Sequence, residues 1–446
     1  MPPMNVDDPR PPIEIEIEIE IEPLPDPGDG EAPQIKAKSS RFRAGLAVLV
    51  GLAAAGSAAA ILGYEPLVRH LVQRETQRLG FVITYDTIEI HGFFLGAVLH
   101  GVRVDLEGVR GLHADVDQVV VDLDGSKAQR IVTEGARVTV DRSAADLLLD
   151  LGAWINGHPD LYRIPGEARG VAITWADAPG SPAWLSLQGG ALSTNGTDAT
   201  FRTPSAIVSG QPLGAASAAW AAAAATITIG LGNEAIGDAP IRVELHPTEQ
   251  PQTALLTLRP TRLESLGAPL GLALPAPGAV AEGTIALTLG ARAGHGVIDG
   301  AAAFTLTGWV PPHPRELGGI VFGDRTTFAT RLSIAEDHRK ITLTEAVMTA
   351  GALKLKGGGT IERRDAYALS ALDLKGSIPC SDVARSAVAS SWGDLAGQLA
   401  GNVARIAMDG SVGIKVHVEA DTRDLKAARL THEVGVGCGL RVPKLF

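Results

Sequence analysis

The residues able to do chemistry are scattered along the chain, not grouped. Eleven histidines stand singly in 446 residues. The nearest trio, His91, His100 and His113, has neither a helix face nor a Cys-x-x-Cys pair to organise it into a zinc site. Glu336, Asp337 and His338 adjoin one another in "AEDHRK", but between two strand-like runs, where a solvated hairpin tip is a simpler reading than an acid–base pair. "GLGNEAIG" (Gly230–Gly237) has two residues too many before its last glycine to be a nucleotide loop, and no helix follows it. GxxxxGK[ST], GxSxG and HExxH are absent. The two cysteines, Cys380 and Cys438, leave two readings open. They form either a bridge closing a loop of about 58 residues, worth roughly 4 kcal/mol in the chain-entropy model, or a pair of inert buried thiols. No metal, cofactor or catalytic set is expected, and the chain reads as a non-enzyme.

Composition narrows the fold. The 52 glycines and 28 prolines, set against an aromatic share of 4%, favour many turns and short strands over a helical bundle. Net charge is −11, and the sequence has no basic run beyond a short one near Arg41, so nucleic acid is not an expected partner.

Three N-terminal segments differ in texture. Residues 1–43 carry ten acidic against five basic residues and include five Ile-Glu pairs from Ile13 to Glu22. The pairs alternate with the period of a strand, yet an isolated ribbon has nothing to bury its isoleucines against, so a disordered acidic tether is expected. Residues 44–63 are twenty uncharged positions, enough for a helix of ~30 Å. Leu46, Val48, Leu49, Val50, Leu52, Ile61 and Leu62 supply the apolar surface of this expected membrane anchor. Lys36, Lys38, Arg41 and Arg43 precede it, which places the tail in the cytoplasm and residues 64–446 across the membrane. A cleaved signal peptide is the rival reading, weakened by the length of the leader. "EPLVRHLVQRETQRL" then reads as an amphipathic helix ended by Gly80.

From Phe81 onward more than a dozen short β-branched runs follow, separated by Gly, Asp and Asn. Few helices interrupt them: one capped by Ser143, a short one near Leu263, and one over 381–400. Strand–helix–strand alternation is not evident, so an antiparallel meander is expected. "AASAAWAAAAA" (Ala215–Ala225) is helical by propensity but runs directly into "TITIG".

The anchor, "LVQRETQRLGFVITYDTIEI", "LGAVLHGVRVD" and "ARVTVDRSAADLLLDLGAW" together resemble the opening module of AsmA-like proteins of the Gram-negative inner membrane, relatives of TamB-type bridge-like lipid transporters. "ITLTEAVMTAGALKLKGGGTI" is similar to that family's recurring strand pair with a Gly-rich turn. The resemblance implies a mainly β fold: an elongated, twisted antiparallel sheet curled into a trough, with a few short helices and one transmembrane helix before it. It also implies periplasmic bulk on an inner-membrane anchor, and phospholipid or another envelope lipid as ligand, with envelope proteins as further partners. The domains so implied are a tail (1–43), an anchor (44–63), an N-terminal module (64–160), a β-rich trough (161–376) and a C-terminal region with both cysteines (377–446). Leu95, Val121, Ile173 and Leu343 are the candidate groove residues. GspN-like secretion proteins and non-catalytic regions of peptidoglycan glycosyltransferases share a similar build, so a scaffold or accessory role stands as the alternative. The glycosyltransferase motif itself is absent. The same alternation of side chains also suits a closed sandwich with nothing bound.

Overall fold

The computed structural model describes residues 69–70, 72–74, 76–78, 80–91, 96–124, 127–158, 164–267, 278–292, 295–310, 322–335, 339–364, 367–383 and 408–440. The expected tail and anchor, Leu95, Glu336, Asp337 and His338, and all but the first turn of the helix expected over 381–400 lie outside those residues. Among the described residues no helix is long and apolar enough to cross a membrane.

These residues form a mainly β structure, one long curved sheet of twenty strands that does not close. It begins with β1 (Phe81–Thr84) and β2 (Thr87–His91), which both pair with β3 (Gly96–Leu106) and so make one interrupted edge strand. The break falls where Gly101 takes φ +60° and Asp86 donates its backbone N–H to the His100 carbonyl (3.0 Å). β4 (Leu112–Asp124) and β5 (Lys127–Asp141) continue the ladder.

Here the meander expected from sequence is interrupted. Helix α1 (Ala144–Gly157) carries the chain from β5 to β6 (Gly166–Ala176), and these two strands run parallel. A parallel neighbour cannot be reached by a tight turn, so the helix is the crossover that the geometry requires. Ser143 caps it as its sequence indicates, accepting from the Asp146 N–H (3.2 Å).

All later ladders are antiparallel between successive strands. They run through β7 (Leu185–Thr194), β8 (Ala199–Val208), β9 (Gln211–Ala221), β10 (Thr226–Leu231), β11 (Ile241–His246) and β12 (Gln252–Arg262). A five-residue helix, α2 (Leu263–Gly267), leads on to β13 (Val280–Arg292), β14 (His295–Thr307), β15 (Arg325–Ile334) and β16 (Lys340–Ala350). β17 (Leu353–Arg364), β18 (Tyr367–Pro379), β19 (Met408–Asp421) and β20 (Arg429–Leu440) complete the sheet. The ambiguous alanine run is strand to Ala221, because Trp220 pairs with Ile227 on one side and Ala199 on the other.

Pairing register propagates the alternation from strand to strand. Cross-strand partners Trp220, Ile227, Leu245, Ala254, Leu287, Gly300, Leu332, Leu343, Gly359, Leu372 and Val418 form an unbroken row from β9 to β19. One residue along lies the row His246, Thr253, Thr288, Asp299, Ser333, Thr342, Thr360, Ala371 and Glu419. Successive side chains point to opposite faces, so the sheet has one apolar and one polar side.

The sheet also coils. Gln252 at the start of β12 donates from Nε2 to the Leu148 carbonyl of α1 (3.0 Å) and to the Pro247 carbonyl (2.8 Å). Gly152 admits this turn, because a Cβ there would run into Gln252 and the Pro247 carbonyl. Arg363 at the end of β17 pairs with Asp177 just past β6 (2.9 Å). On a flat ladder with ~4.8 Å per strand, β6 and β17 would stand roughly 50 Å apart. Twist rotates strands without shortening the distance between them, so these contacts show that the sheet bends back on itself.

Candidate functional site

The apolar face is covered at its two ends and less so between them. Near β3–β6, Leu99, Val102, Val116, Ala136, Ala168 and Val171 form a buried cluster, joined by Val72 of the helical residues 72–74. Beside it, α1 lays Leu147, Trp154 and Ile155 against Val109 and Val140. Trp154 donates its indole N–H to the Gly80 carbonyl (3.1 Å), and a Cβ at Gly80 (φ +72°) would collide with the Trp154 and His158 rings. At the far end Leu353, Leu355, Leu374, Ile378, Val412 and Ile414 are buried together with Cys380. There the disulfide Cys380–Cys438 (Cα–Cα 5.7 Å) ties the end of β18 to β20 across β19.

Between these clusters the inward side chains of β10–β15 are large and apolar but only half-buried. Ile227, Ile229, Val243, Leu245, Leu256, Leu258, Ile285, Leu287, Phe304 and Leu332 all belong to this stretch. The fully buried apolar positions here are few and flank the Ile/Leu rows: Ala281, Leu289 and Ala302. A closed sandwich would bury such rows against a facing sheet. Among the described residues α1 reaches β13 and β14 on one side of this band, and six strands at ~4.8 Å give the half-buried stretch a length of about 25 Å.

Of the groove residues read from sequence, Val121, Ile173 and Leu343 share the apolar face, and Leu95 falls outside the described residues. Val121 and Ile173 pack onto the covered end cluster, and Leu343 is buried at 8% exposure, so none lies in the half-buried band. The band was missed because its residues look like any other alternating strand. Their partial exposure is set by what packs over them in three dimensions, which the pattern along the chain does not carry.

The polar side of β17–β20 carries a hollow of about 670 Å³ lined by Lys356, Lys375, Lys415, Asp373, His417 and Glu433 among others. The lysines are 19 and 40 positions apart along the chain, so no basic run announces them. Lys415 pairs with Glu433 (2.8 Å), which raises the lysine and lowers the carboxyl. His417 sits between Asp373 (Nδ1–Oδ1, 2.7 Å) and Glu419 (Nε2–Oε1, 3.4 Å). Hydrogen bonding to those two carboxylates raises its pKa above the ordinary 6.5. No group of three or more metal-ligating side chains occurs among the described residues.

Comparison with known proteins adds no identity: no family model and no curated protein matches the chain.

Two outcomes follow from this geometry. Leu355→Ala, at 1% exposure, should lower unfolding free energy by about 2–5 kcal/mol, whereas Leu256→Ala in the half-buried band should stay below about 1.5 kcal/mol. Urea denaturation of both variants reads the difference; equal losses would mean that the band is as tightly packed as the end cluster. The His417 imidazole should titrate above 6.5 by NMR, and Asp373→Asn should move its midpoint down. Because the folded pKa is raised, the stability this residue contributes is fully present below the unfolded value and disappears as pH rises through the folded one.

Proposed function

We propose that this chain is a lipid-binding protein of the bacterial cell envelope, in which the apolar side of the coiled sheet shelters acyl chains, as the AsmA-like resemblance implies. In this reading residues 44–63 anchor it in the inner membrane, the acidic tail is cytoplasmic, and the sheet works in the periplasm. The observation that carries the reading is the band of half-buried Ile, Leu, Val and Phe on β10–β15, apolar across successive strands. A hydrocarbon chain is the occupant that such a surface fits best. It needs no hydrogen-bonding partner, and the band has few polar side chains to offer one. Each CH₂ withdrawn from water gains ~0.8 kcal/mol, so a 16-carbon tail gains on the order of 10 kcal/mol before the entropic cost of association. A head-group site is not needed to retain a ligand at that magnitude. The disulfide is in keeping with an oxidising compartment.

A second reading, a scaffold that binds another envelope protein through its sheet edge, is favoured by one feature. Val436 on the last strand is 72% exposed, and an edge strand with an exposed valine can accept a partner strand.

Full-length protein extracted in mild detergent should carry phospholipid or a related envelope lipid, detectable by mass spectrometry. Leu256→Asp combined with Ile285→Asp should reduce the bound lipid several-fold while leaving the disulfide and the circular-dichroism spectrum intact. A folded double variant that retains its lipid, or a wild-type chain that carries none, would contradict the proposal. Lipid loss from Val436→Asp alone would favour a different surface.

A further inference from the structure

The polar side of β17–β19 holds an arrangement that folding alone does not favour. Lys356, Lys375 and Lys415 are direct cross-strand partners in three adjacent strands. Their Cα atoms therefore fall within about 10 Å, and like charges directly opposite one another are destabilising. Lys354, two residues before Lys356, adds a fourth ammonium on the same side of the sheet. All four side chains are exposed.

Neighbouring carboxylates do not neutralise the row. Glu433 is taken by Lys415 at 2.8 Å, and Asp373 is taken by His417 at 2.7 Å. Glu419 also faces His417, at 3.4 Å. Lys356 and Lys375 make no salt bridge among the described residues. The row borders the hollow of about 670 Å³. Two unpaired ammoniums at the wall of a concavity, with a third held ready beside them, form a receptor for a compact multivalent anion. The ammonium is a flexible point charge that binds phosphate without demanding one approach angle.

We propose that this lysine row is a binding site for a phosphoryl group, with Lys356 and Lys375 as the primary contacts and Lys415 as a third that can exchange Glu433 for the ligand. The site lies on the opposite side of the sheet from the apolar band, so it stands whether or not that band carries acyl chains. The phosphoryl group can come from a soluble phosphate ester or from a lipid head group at a membrane surface; the chemistry recognised is the same.

The test uses the full-length chain in detergent, with pyrophosphate as the probe and isothermal titration as the readout. Wild type should bind saturably, with affinity that falls as salt rises. Lys375→Gln should weaken binding at least five-fold, and Lys356→Gln with Lys375→Gln should abolish it. Lys340→Gln, at the far end of β16, should leave it unchanged. Removal of Lys375 relieves like-charge repulsion, so the variant should melt no lower than wild type, and loss of binding cannot then be assigned to misfolding. Competition by glycerol phosphate identifies the soluble source. Co-sedimentation with phosphatidylglycerol vesicles but not phosphatidylcholine vesicles, lost in Lys375→Gln, identifies the head group. Failure of wild type to bind pyrophosphate, or equal loss in Lys340→Gln and Lys375→Gln, overturns the proposal.

Discussion

The structure depends on register. A strand alternates its side chains whatever its neighbours do, but twenty strands present one continuous apolar surface only when each ladder sets the apolar positions of one strand against those of the next. Here the row from Trp220 to Val418 keeps that phase through ten consecutive ladders, and the bulges in β15–β17 do not flip it. A slip of one residue in a single ladder would turn every later strand inside out. The apolar side of the sheet is thus a cooperative property of the pairing, not of any one strand.

Curvature then gives that surface its form. The contact of Gln252 with α1 and the Arg363–Asp177 pair connect strands that a flat ladder would keep far apart. The Arg363–Asp177 pair is solvent-exposed and contributes little energy by itself. Its value is as a record of curvature. Helix α1 does more, because it fills the apolar end beside β1–β6, reaches β13 and β14, and supplies the one parallel crossover among the described residues. With both ends occupied by the chain's own side chains, the middle strands are left with apolar rows that only partly bury one another, and the proposed lipid-binding role rests on this feature.

The sequence made the strands legible through alternation, and the cap at Ser143 and the stop at Gly80 through residue type. The β5–α1–β6 crossover was not legible, because a helix between two strands looks the same whether the second strand returns parallel or antiparallel. Ala215–Ala225 was undecidable locally; its cross-strand partners, Ile227 and Ala199, make it a strand. Groove candidates were legible as to face and not as to cover: Val121, Ile173 and Leu343 share the correct side, but packing by Val72 and other distant residues decides which apolar side chains remain half-open. The lysine row was invisible for a related reason. A reading along the chain finds charge runs, whereas pairing sums charges across strands.

The central claim is that the band on β10–β15 is not sealed by the protein itself. A side-chain-resolution cryo-EM map of the full-length chain, purified with its native lipid, addresses this directly. Elongated density running beside Ile229, Leu256 and Ile285 is the outcome the account requires. Those side chains interlocked with others of the same chain, with no space between them, would contradict it.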